Sequence, residues 1–171
     1  LQKLSHEAKD KSEKLGQQLS GNIKGQYDLQ NIGTADEQKQ FHDIISKHLS
    51  NYLRSSLNVF NLDEMPSELD HNVKFNLRGY PWVNFSNAGE FNPMHTHADS
   101  IISASLYVDI PEVIKQEKEE AKEFSNQPAP GDIVFFGGLK DNIFESSMFN
   151  HTHTTGEIIL FPGEMKHAVY P

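Results

Sequence analysis

Nine histidines are spread along this chain of 171 residues, and three of them are spaced so that they could share one metal ion. His95 and His97 bracket Thr96. In an extended strand, alternate side chains share a face one pleat repeat, roughly 6.6 Å, apart, so this pair can close on one cation. The third is His167. Gly89 and Pro93 precede the pair, and roughly seventy residues later Gly156 leads an apolar run, Glu157 to Phe161, into Pro162-Gly163 and then His167. A Gly-led turn that delivers His-x-His, answered by a distant strand and a Pro-Gly turn that deliver one more His, is a metal site built from two halves. Such a split site is the signature of a double-stranded β-helix, in which sequence-distant strands face each other across a barrel mouth.

The other histidines carry less. His151-Thr152-His153 repeats the pattern without a preceding Gly turn or a clear partner. His42 and His48 fall on a helical stretch with no ligand-type residue at i+4, and His6 and His71 belong to no constellation.

Composition narrows the chemistry. Net charge is −9, from 24 acidic residues against 15 Lys plus Arg, and no basic cluster could neutralise a run of phosphates, which argues against nucleic acid as a partner. Cysteine is absent. That removes disulfides, thiolate ligands and a Cys nucleophile together, leaving His and carboxylate as the strong metal ligands. No apolar run reaches membrane-spanning length and no signal peptide opens the chain, so a cytoplasmic domain without a membrane partner is expected. Oligomeric state is not legible. The chain opens at Leu1 and stops at Pro171, and both ends are expected to be cut edges.

The elements that must position these histidines follow from periodicity. Leu4 to Leu19 reads as a polar helix with a thin apolar stripe, broken by Gly21 and Gly25. Thr34 with Glu37 forms a capping box, and Phe41, Ile44, Ile45, Leu49, Tyr52, Leu53 and Leu57 continue at helical spacing, a helix that must pack on something flat. Beyond Asn58 the period changes to two. Val73, Phe75 and Leu77 alternate, and strands are expected at 82–85, 101–108, 133–136, 148–152, 157–161 and 167–170. Glu112 to Phe124 interrupts them as a charged helix offering only Val113, Ile114, Ala121 and Phe124 for burial. It reads as a solvated insert, or alternatively as a lid over the site. The expected architecture is a single α+β domain over residues 1–171. Within it, residues 1–60 are helical and packed on one face, and residues 72–171 form a jelly-roll or cupin-like barrel.

The runs Trp82-Val-Asn…Gly89-Glu-Phe-Asn-Pro-Met-His95-Thr-His97…Ser105-Leu-Tyr-Val-Asp-Ile-Pro111 and Gly156-Glu-Ile-Ile-Leu-Phe-Pro-Gly-Glu-Met-Lys-His167 resemble the 2-oxoglutarate- and Fe(II)-dependent oxygenases of marine bacteria and phages, relatives of prolyl hydroxylases. The resemblance covers about residues 74 to 171. It implies Fe(II), 2-oxoglutarate as cosubstrate and O2, with decarboxylation to succinate and hydroxylation of a C–H bond in a small molecule or peptide, such as a peptidyl proline. In that superfamily the triad is usually His-x-Asp plus a distal His. His95 then matches the first ligand and His167 the distal one, while the family's carboxylate position falls on His97. Counting from Gly89 aligns without a gap only for His95, His97 and His167; the alternative register gives His97, Asp99 and His167. The resemblance further implies a basic residue for the far carboxylate of 2-oxoglutarate about ten residues beyond His167, past Pro171. Arg54 and Arg78 are not placed to match it. Asn84 and Tyr107 flank the His pair as candidate cofactor-binding residues; Trp82 flanks it too and is read as core.

The same spacing resembles the cupin motif, Gly-x5-His-x-His with Pro-x4-His, although the Glu expected after the His pair is missing. A cupin-like enzyme working without 2-oxoglutarate and a non-catalytic jelly-roll domain therefore stay open beside the oxygenase.

Overall fold

The computed structural model describes residues 1–15, 20–59, 81–124, 128–137 and 148–171. They fall into two compact units: Leu1–Leu29 with Trp82–Pro171, and Gln30–Pro81.

In the second unit lies α2, Ala35–Val59. Its start is the expected capping box: the Thr34 N–H donates to Glu37 Oε2 (2.8 Å) and the Glu37 N–H to Thr34 Oγ1 (3.3 Å), satisfying donors that the first helical turn leaves unpaired. Ile45 and Leu49, one turn apart, are buried, whereas Ile44 is 53% exposed.

The first unit is helix and antiparallel sheet. Helix α1 spans Gln2–Lys11, and Ala8 is its buried anchor. It stops well short of Leu19, the expected end. Ser12 turns extended, its hydroxyl donates to the Asp28 carbonyl (2.7 Å), and the Leu15 N–H donates to Gln26 O (3.0 Å). Pairing with β1, Gly25–Asp28, thus captures backbone groups that a longer helix would have used. Strand β1 pairs with β2, Trp82–Phe85.

Among the described residues six more strands follow: β3 (Asn92–His95), β4 (Ile102–Leu106), β5 (Ile133–Phe136), β6 (Met148–His151), β7 (Ile158–Pro162) and β8 (Lys166–Val169). Their pairing is nested. β5 pairs β6, β4 pairs β7 and β3 pairs β8, all antiparallel, as in one long ribbon doubled back between β5 and β6. The ribbon then curls so that β5 also pairs β8, giving a sheet of order β3-β8-β5-β6 beside the pair β4-β7. Among the described residues these sheets do not close into one hydrogen-bonded barrel.

The two sheets meet through Phe135 of β5 and Phe161 of β7, whose rings are 5.1 Å apart in an edge-to-face arrangement. Ile133 completes the buried centre, with Ile159, Met165 and Val169 against it. Each such buried apolar side chain contributes roughly 1.5–3 kcal/mol. Strand β3 lies at an edge and carries Pro93, a place where the missing N–H costs no ladder bond.

Helix α3, Glu112–Phe124, has the expected bounds. Its burial differs from the expected pattern: Val113 is 53% exposed, and the residue that goes inside is Lys118, at 6%. Lys118 Nζ lies 3.0 Å from Asp132 Oδ1. Asp132 also accepts from the Ala129 N–H and the Thr152 hydroxyl, each at 2.9 Å. Removing one partner of such a pair strands the other charge, so this contact ties α3 to the sheet. The expected strand through Val73, Phe75 and Leu77, with His71 and Arg78, lies outside the described residues. Among the described residues no helix is long and apolar enough to cross a membrane.

Candidate metal centre

His95 ends β3 and His167 lies in β8, directly opposite it in the ladder. Opposed residues in an antiparallel pair share a face, so the register alone brings these two rings together, 4.2 Å between centroids. The same row continues across the sheet through Phe135 to Phe149.

His97 arrives differently. The strand ends at His95, so His97 does not follow the alternation of an extended His-x-His segment. Its N–H donates to Gly163 O (2.8 Å), its carbonyl accepts from the Ser100 N–H (2.9 Å), and the Gly163 N–H donates to Ile101 O (3.0 Å). A turn over residues 97–100 is thereby fastened to the Pro162-Gly163 turn, and the imidazole swings to 5.2 Å from the His95 ring and 5.1 Å from the His167 ring. Gly163 permits this approach: a Cβ there would land on the Ser100 carbonyl oxygen, with His97 O only 2.9 Å away. Gly89 and Gly156, which lead the two halves, have φ of 79° and 86°, the left-handed region that favours glycine.

The three rings offer nitrogen atoms that all lie within 4.8 Å of one another. The Nδ1 of His95 sits 2.7 Å from Pro93 O, and that of His167 2.9 Å from Met165 O. A carbonyl can only accept, so both Nδ1 atoms carry a proton, the arrangement that in a neutral imidazole leaves the Nε2 lone pair free for a metal. This is how ligating histidines are usually oriented. The Nε2 atoms of His95 and His97 approach to 3.3 Å. Burial lowers the His97 pKa, with His95 adding to the effect. Burial also takes His167 down to about 4, opposed by its Met165 contact and reinforced by His95 and His97. Three imidazoles whose nitrogens converge in this way fit a divalent transition metal.

Aromatic rings wall the cluster. Trp82 is not the core residue it was expected to be: it is 39% exposed and stacks on His97, centroids 6.3 Å apart. Phe161 meets His167 edge-on at 4.7 Å, and Phe135 lies 6.1 Å from it. Periodicity marked Phe135 and Phe161 only as strand residues. The cross-strand register puts them at the site.

Asp99 is exposed, sits in the turn after His97 and is not part of the cluster. Asp99→Asn should shift iron affinity by no more than about tenfold, the scale of an outer contact; loss of iron in a calorimetric titration would restore the register His97, Asp99, His167. Asn84 is exposed on β2, its Oδ1 accepting from Gln26 Nε2 (3.3 Å). Tyr107 stacks on buried His153 at 3.4 Å, and burial raises its phenol to about 12. Neither joins the three imidazoles. The second His pair is divided: His151 Nε2 bonds Glu157 Oε1 (2.9 Å), and His153 Nε2 meets the Gly131 carbonyl.

Burial also holds the His153 pKa down, to about 4. Both His153 and His167 therefore bind fewer protons when folded than when unfolded across the window from about 6.5 down to about 4. Their contribution is complete above that window and is lost as pH falls through it. Metal-free protein should lose up to about 6 kcal/mol, about 3 from each histidine, between about pH 7 and pH 4, read from the urea midpoint; a level midpoint would refute the assignment.

Helices, antiparallel sheets and imidazole cluster define a mixed helix-and-sheet protein with a site that could hold a metal. The particular family follows from comparison with known proteins: residues 80–171 match the family model described as "Putative 2OG-Fe(II) oxygenase", and the chain belongs to that family. No curated protein and no solved structure matches the chain.

Proposed function

We propose that this chain is a non-haem, Fe(II)- and 2-oxoglutarate-dependent dioxygenase whose metal ligands are His95, His97 and His167. The observation that carries the reading is the convergence of three imidazole nitrogens within 4.8 Å, from strand ends far apart in sequence, in a chain of this family. We also read the curled ribbon β3 to β8 as a double-stranded β-helix, since nested antiparallel pairs rolled into two facing sheets are what a jelly roll consists of.

Bound Fe(II) and 2-oxoglutarate would supply the oxygen chemistry, with succinate and a hydroxylated C–H bond as products. The chain's own role is positional. Pro93 and Met165 carbonyls orient two ligands, the Gly163 contact presents the third, and Trp82, Phe135 and Phe161 keep water from the ligands. Phe149, 63% exposed at the end of the row His95, His167, Phe135, offers an apolar platform to a small-molecule or peptide substrate such as a peptidyl proline.

The test is to load the protein anaerobically with Fe(II), add 2-oxoglutarate and ascorbate, admit O2 and follow succinate by NMR. Succinate that depends on all three histidines supports the dioxygenase. Iron binding without 2-oxoglutarate binding or succinate would move the chain to a cupin-like enzyme or a structural jelly roll.

A further inference from the structure

We propose that helix α3 is a strap released by protons: Lys118 holds it to the sheet through Asp132, and a proton arriving on the neighbouring His153 gives Asp132 a second cation and frees the helix. The inference rests neither on the metal centre nor on the oxygenase reading.

The helix is attached through a charge. Among its described side chains Lys118 alone is buried; Ile114 is half-buried facing Gly131, and the others from Glu112 to Glu120 are exposed. Lys118 Nζ stands 3.0 Å from Asp132 Oδ1 and, this contact apart, has no partner among the described residues. An attachment that depends on one buried ion pair rather than on an apolar face can be undone by a third charge placed beside it.

His153 is where that charge arrives. It is buried, its sequence neighbour Thr152 donates to Asp132, and its own Nε2 meets the carbonyl of Gly131, the residue before Asp132. A carbonyl only accepts, so Nε2 carries a proton. Nδ1 is buried without a hydrogen-bond partner among the described residues, and it is the position left for a second proton. The titratable groups facing the ring are Tyr107 after β4, Lys118 in α3, Asp132 before β5, His151 in β6 and Glu157 before β7.

In the closed form burial takes the His153 pKa down to about 4, opposed by the Gly131 carbonyl and Asp132 and reinforced by Lys118 and His151. When the strap swings away, water reaches Nδ1 and Lys118 leaves, so the ring returns toward its ordinary pKa of about 6.5. Asp132 is not left alone, because the imidazolium now faces it. Opening therefore takes up a proton across the window from about 6.5 to about 4, and becomes more favourable as pH falls through it.

The experiment is native-state hydrogen exchange of the 171-residue chain, read as protection factors at about pH 7.5 and about pH 5 with and without low urea. Release of a strap exposes little surface, so exchange through it responds weakly to urea, whereas exchange through global unfolding responds steeply. Protection of the α3 amides should fall by about thirtyfold between the two pH values, with weak urea dependence at both. His153→Gln retains a donor for the Gly131 carbonyl and leaves His151 and Glu157 in place, and should reduce the change to about threefold or less. Level α3 protection in the unmodified protein overturns the proposal, as does α3 exchange that depends on urea as steeply as that of β5 and β8. Both arms decide even if the variant does not fold. An undiminished change in folded His153→Gln also overturns it, because the proton would then be taken up elsewhere.

Discussion

Replacing His167 by alanine should remove metal binding from this chain. His167 is the most buried of the three imidazoles, at 4% exposure, and lies in β8, held between β3 and β5. Its ring is 4.2 Å from that of His95 and 5.1 Å from that of His97, and its tautomer is set by Met165 O. Losing an outer contact to a ligand already costs about 10- to 100-fold in metal affinity. Losing the ligand itself should cost about a thousandfold or more, about 4 kcal/mol. Calorimetric titration with Ni(II) or Co(II) provides the measurement. His151→Ala is the matched control, since His151 is engaged by Glu157 and its loss should move the affinity by less than about threefold. If His167→Ala retains affinity within about tenfold of the parent, the cluster is not the metal site.

Gly163→Ala should be nearly as damaging, though it removes no imidazole. The added methyl would overlap the Ser100 carbonyl and crowd His97 O. These are backbone atoms, which cannot swing aside as a flexible side chain would. The Pro162-Gly163 and 97–100 turns must separate, breaking the bonds from His97 N–H to Gly163 O and from Gly163 N–H to Ile101 O. We expect a loss of about 4 kcal/mol in folding stability, at the severe end for a single substitution, and metal affinity weakened by at least about a hundredfold in whatever remains folded. Urea unfolding reads the first and metal titration the second. A variant with parent-like urea midpoint and metal affinity would show that the two turns are not fastened as described.

Much of the site could be read from local pattern, and its misreadings have physical causes. Thr34 and Glu37 announced the start of α2 because a capping box is contained in four residues. Alternation found β2 and β5 with their observed bounds. Gly25 was taken as a break, yet it opens β1, where a Cβ would meet Phe85 O at 2.8 Å. Glycine there serves close approach of another strand, which a single segment cannot reveal. The same limit explains His97. Its presentation depends on Gly163, far away in sequence, and without that partner the simplest expectation was a continuing strand. Lys118 looked like one more solvated charge in Glu112–Phe124, and only the position of Asp132 makes it an interior residue.

The nested pairing of β3 to β8 has a consequence for the order of assembly. Closing a loop costs entropy that grows with its length, so the turn-proximal pair β5·β6 is the cheapest to form, β5·β8 and β4·β7 come next and β3·β8 last. The histidines of β3 and β8 sit on that last pair, and the ion site therefore does not exist until the ribbon has zipped to its open end. A metal captured there would guide none of the earlier steps. It would act as a latch on the finished fold, slowing escape from the native state while leaving the rate of reaching it nearly unchanged.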